Sequence, residues 1–162
     1  MKIGVMSDTH DHVWNYEKAV NQLKKKKIGA LIHCGDLCAP ILAKKLVELS
    51  FPVHLVSGNT NDEYRTTRIC AESENVTHHG EFAELELDGL KIAVIHFNVL
   101  AERLAQSGKY DVVFYGHTHK KDDRTIGTAK IINPGEILGI EGAPSFAVFD
   151  TETKKTEFFD LK

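Results

Sequence analysis

The stretch Lys2–His10, KIGVMSDTH, sets the reading of the whole chain: an apolar run, Lys2–Met6, stops abruptly on Ser7-Asp8-Thr9-His10. The same event recurs four times. Ala30–Cys34 stops at Gly35-Asp36, Val53–Val56 just before Gly58-Asn59, Lys91–Ile95 at His96, and Asp111–Tyr115 at Gly116-His117-Thr118-His119. The runs are rich in Val, Ile and Leu, the mark of strands covered on both faces. In open α/β sheets, ligands bind beyond the carboxyl ends of the strands. The expectation is therefore seven donors, Asp8, His10, Asp36, Asn59, His96, His117 and His119, along one rim of one sheet.

Between the runs the pattern alternates strand and helix. Val13–Lys26 carries Val13, Tyr16, Val20 and Leu23 at helical spacing, and Pro40–Leu49 opens on a proline suited to a first helical turn. With Phe51–Val56 as the third strand, two crossovers of this length imply parallel strands joined right-handedly. Thr60–Glu74 reads as a polar loop with a short helix. Glu81–Ile95 reads as a β-hairpin turning at Asp88-Gly89. Val99–Gln106 is a short helix, and the tail gives strands around Ile126-Gly127-Thr128, Ile131–Asn133, Phe146–Phe149 and Thr156–Phe159.

The length of 162 residues suits one domain, 1–162, and 42% hydrophobic with 27% charged residues is ordinary globular composition. A formal net charge of −3 supplies no electrostatic reason for general nucleic-acid binding. The Lys24–Lys27 run closes a helix, where cations suit the C-terminal dipole. No apolar stretch approaches the ~20 residues that span a bilayer. The first strand begins at Lys2, without room before it for a signal peptide, and Cys34, Cys38 and Cys70 lack zinc-site spacing. They read as structural thiols, and the expected location is cytoplasmic.

The donor set has its own chemistry. Asp8 and His10 are two residues apart at a strand end, and so are His117 and His119, so each pair can converge on one ion or splay to two. Taken singly, each piece has a plain structural use: Gly-Asp and Gly-Asn are turn dipeptides, and His96 could sit in a core. Taken together at successive strand ends, they point to a metal centre. Two carboxylates, one amide and four imidazoles, with no thiolate, favour Mn2+, Fe2+/3+, Zn2+, Ni2+ or Co2+. Seven donors exceed the needs of one ion, and two ions about 3.5–4 Å apart sharing a carboxylate fit better.

These motifs, in this order, resemble the metal-binding motifs of the calcineurin-like metallophosphoesterases. Ile132-Asn133-Pro134-Gly135 also resembles the segment after Gly-His-x-His in the small YfcE-like phosphodiesterases. The resemblance implies an α/β fold, a four-layer α/β/β/α sandwich. It implies that Asp8, His10, Asp36 and His119 hold one metal, and that Asp36 bridges to a second completed by Asn59, His96 and His117. Asp36, Asn59 and His96 would serve catalysis directly. The expected cofactors are two divalent transition-metal ions, Mn2+ first, with Fe, Zn, Ni or Co as the others. The implied activity is phosphodiester hydrolysis of a small phosphate ester by a metal-activated water. Phosphomonoesterase is the runner-up.

Three departures bear on substrate range. Thr60 stands where relatives often carry a histidine that assists the leaving group, Phe97-Asn98 replaces a Gly-His pair, and Leu37–Pro40 lacks an acidic residue seen in larger relatives. Asp11 and His12 are candidates for the site entrance, and Arg65 and Arg68 for a substrate phosphate or a plain helix face. His33, His54, His78 and His79 read as structural or surface residues. A different class of role is a metal-binding protein-interaction scaffold, as in the retromer subunit resembling this family, whose metal set is degraded. All seven positions here hold competent side chains. Homo-oligomerisation is left open.

Overall fold

In the computed structural model, which describes residues 1–162, the order is β1 (Lys2–Met6), α1 (Val13–Lys25), β2 (Ala30–His33), α2 (Pro40–Val47), β3 (Val53–Leu55) and α3 (Glu63–Ala71). There follow β4 (Val76–His78), β5 (Phe82–Leu87), β6 (Leu90–Ile95), α4 (Asn98–Gln106) and β7 (Val112–Phe114). β8 (Lys121–Ile126), β9 (Ala129–Pro134), β10 (Ser145–Asp150) and β11 (Lys155–Asp160) close the chain.

Strand parity sorts the side chains into layers, because successive residues face opposite sides of a sheet. Ile3, Val5 and Ile32 of β1 and β2 meet Ile92, Val94, Val112, Phe114 and Ile132 of β6, β7 and β9 in one buried cluster. The intervening residues face outward: Met6 and Leu31 pack with Tyr16, Leu23, Leu42 and Leu46 of α1 and α2. Ala93, Ile95, Val113 and Ile131 pack with Ala101 and Ala105 of α4. Three apolar layers therefore separate helices, sheet, sheet and helix, which is the expected α/β/β/α sandwich.

The two sheets are a six-stranded one, β11-β10-β1-β2-β3-β4, and a five-stranded one, β5-β6-β7-β9-β8. β1 to β4 run parallel, as the crossovers required, and so do β6, β7 and β9. The expectation of a single rim on a single sheet is thus overturned. The donors after β1, β2 and β3 belong to one sheet, and those after β6 and β7 to the other. Apolar runs covered on both faces look alike whichever sheet holds them.

Other boundaries moved for local reasons. The polar Thr60–Glu74 segment contains a nine-residue helix, α3, capped by Asp62, whose Oδ1 accepts from Arg65 N at 3.1 Å. Of Ile126-Gly127-Thr128, Ile126 ends β8, while Gly127-Thr128 is not strand but the turn closing β8 on β9, with Gly127 at φ 61°. β4 and the charged β8 went unread. Asp88-Gly89 does turn the β5–β6 hairpin.

Phe114 is fully buried between the sheets, its ring edge-on to Phe149 with centroids 5.7 Å apart. Phe114→Ala should cost about 3–5 kcal/mol of unfolding free energy, the usual range for emptying such a site. Urea denaturation measures it. A midpoint shift no larger than that of an exposed substitution would show that the sheets can close over the void.

Candidate metal centre

The parallel strands of both sheets end at the same edge of the sandwich, and the loops leaving them are stitched to one another. Asp8 N donates to Gly35 O and His10 N to Asp36 O, each at 3.0 Å, which ties the β1 loop to the β2 loop. Gly116 N donates to His96 O at 3.1 Å, which ties the two loops of the other sheet. Across the seam, His96 Nδ1 donates to Cys34 O at 2.8 Å and His117 N to Asp8 Oδ2 at 3.1 Å.

All seven predicted donors converge at this seam. His119 Nε2 lies 3.3 Å from Asp8 Oδ1, and His10 Nε2 lies 4.0 Å from the same oxygen and 3.4 Å from Asp36 Oδ2. On the other side, His96 Nε2 is 3.5 Å from Asp36 Oδ2 and 3.0 Å from Asn59 Oδ1, and His117 Nδ1 is 3.0 Å from that amide oxygen. Asp36 Oδ2 stands between the two groups, near-equidistant from His10 and His96. Ligand atoms of Asp8, His10 and His119 fall within 4.8 Å of one another, as do those of Asp8, Asp36 and His96. Asp8, Asp36 and His96 form the buried floor, while Asn59 and His117 are exposed.

Three observations fit this set to cations. First, His10 Nε2 is buried with no hydrogen-bond partner, a nitrogen lone pair or N–H left unused where that is expensive. Second, five of the seven donors adopt positive φ: Asp8 52°, His10 42°, Asp36 54°, His117 68° and His119 59°. Non-glycine residues held there are strained by of order 1 kcal/mol each, and such strain gathers at functional sites. Third, glycine is required by close approach. A Cβ at Gly58 would run into the Asp36 carboxylate, and one at Gly116 into Ser7 Oγ and the Asp8 carboxylate.

The electrostatics fit as well. Burial pushes the Asp8 carboxyl above its usual range, and Asp36 pushes the same way. Burial also pushes Asp36 up, but hydrogen bonding to His96 and the Thr60 amide outweighs it and holds this carboxyl low. Burial opposes a charge on His96, yet Asp36 and Asp8 hold its proton on above the ordinary imidazole value. A buried floor of two carboxylates that draws protons onto its neighbours is a floor suited to cations.

The surrounding groups orient the donors. Glu136, fully buried, lies with Oε2 3.0 Å from His119 Nδ1. Burial alone would raise its carboxyl, but the amides of Ile140, Gly142 and Glu141 and the nearby His119 hold it below the usual range. Sequence reading missed Glu136, since nothing in its spacing separates it from a loop glutamate. The only available signal was an acid directly after Asn133-Pro134-Gly135. Asn133 braces the His117 loop by donating to Gly116 O at 2.7 Å. Cys38, also missed, places Sγ 3.4 Å from His10 Nδ1.

The remaining candidates are not among the converging donors. Asp11 Oδ1 accepts from Ala39 N at 2.7 Å, which bonds the β1 loop to the start of α2 beside the site, and His12 caps α1 by accepting from Asn15 N at 3.2 Å. His33 is buried with Nε2 2.7 Å from Thr9 Oγ1, and burial pushes its pKa down to about 3, so it stays neutral. His54 and His79 face each other at 3.1 Å, and His78 bonds Ser57. Arg65 and Arg68 are exposed on α3.

Residues 1–154 match the calcineurin-like phosphoesterase superfamily domain. The chain is 35% identical over 161 residues to Phosphodiesterase MJ0936 of Methanocaldococcus jannaschii, covering 96% of each protein. Among solved structures it resembles an archaeal phosphodiesterase at TM-score 0.88 and 34% identity, covering 99% of this chain and 100% of that one. It shares its fold with the phosphoesterase YfcE of E. coli at TM-score 0.72 and 17% identity, over 100% of both chains. The family match spans strands of both sheets and every one of the seven donors, and the chain belongs to the calcineurin-like phosphoesterase superfamily.

Proposed function

We propose that this chain is a metal-dependent phosphohydrolase acting on phosphodiesters, with residues 1–162 working as one domain. Asp8, His10, Asp36 and His119 would hold one divalent ion, and Asp36, Asn59, His96 and His117 a second. The observation that carries this reading is the convergence of seven N and O donors at one seam, with Asp36 Oδ2 between His10 and His96 and five of the seven on strained backbone. A scaffold that only made protein contacts would gain nothing from that strain. Mn2+ is the first choice of metal, with Fe, Zn, Ni and Co suited to the same donors. Three free cysteines and no helix long and apolar enough to cross a membrane support a cytoplasmic setting. The relative named as a phosphodiesterase supports the diester preference over the monoester.

When bound, such ions polarise a phosphoryl oxygen and lower the pKa of a bound water toward ~7. The chain's own residues do the rest. Asp8, Asp36 and His96 form a floor closed to bulk water, and Asn59 and His117 stand at the open side where an ester can arrive. Thr60 is hydrogen-bonded inward: its amide donates to Asp36 Oδ1 at 2.8 Å and its hydroxyl faces Asp36 Oδ2 at 3.4 Å. It therefore steadies the shared carboxylate, and as a neutral hydroxyl it is a poor proton donor to a departing alkoxide.

Asp36→Asn should lower metal content from two ions per chain to one or fewer and bring hydrolysis of bis(p-nitrophenyl) phosphate to background. Elemental analysis after reconstitution, beside the assay, checks both. Full activity at one ion per chain would defeat the dinuclear reading.

Glu136→Gln keeps the shape but removes the negative partner of His119, and should weaken metal affinity or activity by about 10–100-fold, as orienting partners of ligands do. Competition with a fluorescent chelator reads the affinity directly. An unchanged affinity and rate would leave Glu136 a loop anchor only.

Rates should fall steeply as leaving-group pKa rises, aryl diesters outrunning alkyl ones. Thr60→His should recover part of the lost rate for poor leaving groups, within the ~10²–10⁴-fold range of general acid help. A diester series at equal metal loading tests this, and a flat wild-type series would assign the proton to another residue.

A further inference from the structure

α2 and α3 both start beside the metal centre, at Pro40, four residues past Asp36, and at Glu63, four past Asn59. Their lead-in loops are bonded together: Asp62 N donates to Cys38 O at 2.9 Å and Cys38 N to Asn61 Oδ1 at 3.4 Å. Between the two helices opens a cavity of about 630 Å³, lined by residues that include Pro40, Ile41, Lys44, Tyr64, Arg65 and Arg68. Its rim begins at Ala39, the residue after Cys38, whose Sγ touches His10. One residue step is about 3.8 Å, so the cavity mouth adjoins the first set of donors.

The lining combines two kinds of surface. Ile41 and Tyr64 are large apolar side chains 52% and 76% exposed. Lys44, Arg65 and Arg68 bring three positive charges and no carboxylate lines the cavity, on a chain whose formal net charge is −3. The cations are only loosely committed. Arg65 Nε is 3.8 Å from Asp62 and Arg68 Nε is 3.5 Å from Glu72, both pairs in solvent, where such contacts hold weakly. An exposed aromatic face flanked by guanidinium groups is a stacking platform beside an anion site. Lys44 and Arg68 lie about one helical turn, ~5.4 Å, beyond Pro40 and Tyr64, so these two cations stand farther from the metal centre than the platform's near end, while Arg65 directly follows Tyr64.

We propose that this groove binds the retained half of the substrate, and that the substrate class is a nucleotide-like phosphodiester: an aromatic group laid on Tyr64, carrying a further phosphate held by Lys44, Arg65 and Arg68. The inference rests on the phosphodiesterase reading above and names the substrate class for that site. Charge complementarity selects the occupant. An aryl diester with no second phosphate uses the platform alone, and only a substrate with a second phosphate uses the cations.

Three p-nitrophenyl esters with the same leaving group separate the contributions: bis(p-nitrophenyl) phosphate, thymidine 5′-(p-nitrophenyl phosphate), and the latter with an added 3′-phosphate. In the metal-loaded protein, kcat/KM for the third should exceed that for the second by about tenfold, the worth of one charge-assisted hydrogen bond. That ratio should shrink as salt rises, because the cations are exposed. In the double variant Arg65→Ala/Arg68→Ala it should collapse toward one, and in Lys155→Ala, a cation on the distant β11, it should stay at the parent value. Calorimetric titration with thymidine 3′,5′-bisphosphate gives a readout that needs no turnover, and binding should weaken about tenfold in the double variant. A parent ratio near one, or a ratio and bisphosphate affinity unmoved by the double variant, overturns the groove assignment. Failure to cleave any of the three esters overturns the phosphodiesterase reading instead, and the titration then decides the groove by itself.

Discussion

Two carboxylates, Asp8 and Asp36, are buried side by side at the seam of two sheets, with acceptor oxygens within 4.8 Å of each other and of His96 Nε2. Unpaired charges in such a place are costly, several kcal/mol per ion in real proteins. The strand-end loops can be understood as the means of tolerating that arrangement. Left-handed backbone turns Asp8, His10, Asp36, His117 and His119 inward, glycines at 58 and 116 let main chain pass close by, and backbone amides of Thr60 and His117 donate to the two carboxylates. None of these features favours the fold of the apolar layers. All of them favour a concentration of negative charge that a divalent cation relieves.

The sandwich supplies the rigidity this needs. The loops after β1, β2, β6 and β7 each leave a strand whose side chains lie in two apolar layers at once, as β2 does with Leu31 on one side and Ile32 on the other. Because β1, β2 and β3 are parallel in one sheet and β6 and β7 in the other, their carboxyl ends meet at one edge without long connections. Bonds such as His96 Nδ1 to Cys34 O then fix one sheet against the other at the site itself. The centre therefore depends on sheet-on-sheet packing as well as on its donors.

What was legible in the sequence follows from the same physics. The five strand ends could be read because buried parallel strands are continuous apolar runs, and a polar residue ending each run stands out. The division of those runs between two sheets could not, since covering on both faces leaves the same signature in either. β8 escaped notice because it is a sheet edge carrying Lys121, Asp122, Asp123 and Arg124, the charged composition by which edges resist pairing with other chains. β4 has only three residues, two of them Thr77 and His78, too few to show a period. The donors were legible as residues, but their orientation by Glu136 and Cys38 depends on loops that meet only in three dimensions.

The order β11-β10-β1 has a consequence for how the protein is made. β1, with Lys2 opposite Asp150, finds one of its neighbours only after β2 to β9 have been synthesised. By the time His119 emerges all seven donors exist, yet β1 still has one open edge and Glu136 has not appeared. A nascent chain that captured an ion at that point would hold it in an unfinished frame. Pairing separated this widely in sequence is slow to form and leaves an exposed edge meanwhile, so maturation of the centre is bound to the arrival of β10, and truncation within β10 removes the partner of the strand that leads into Asp8 and His10.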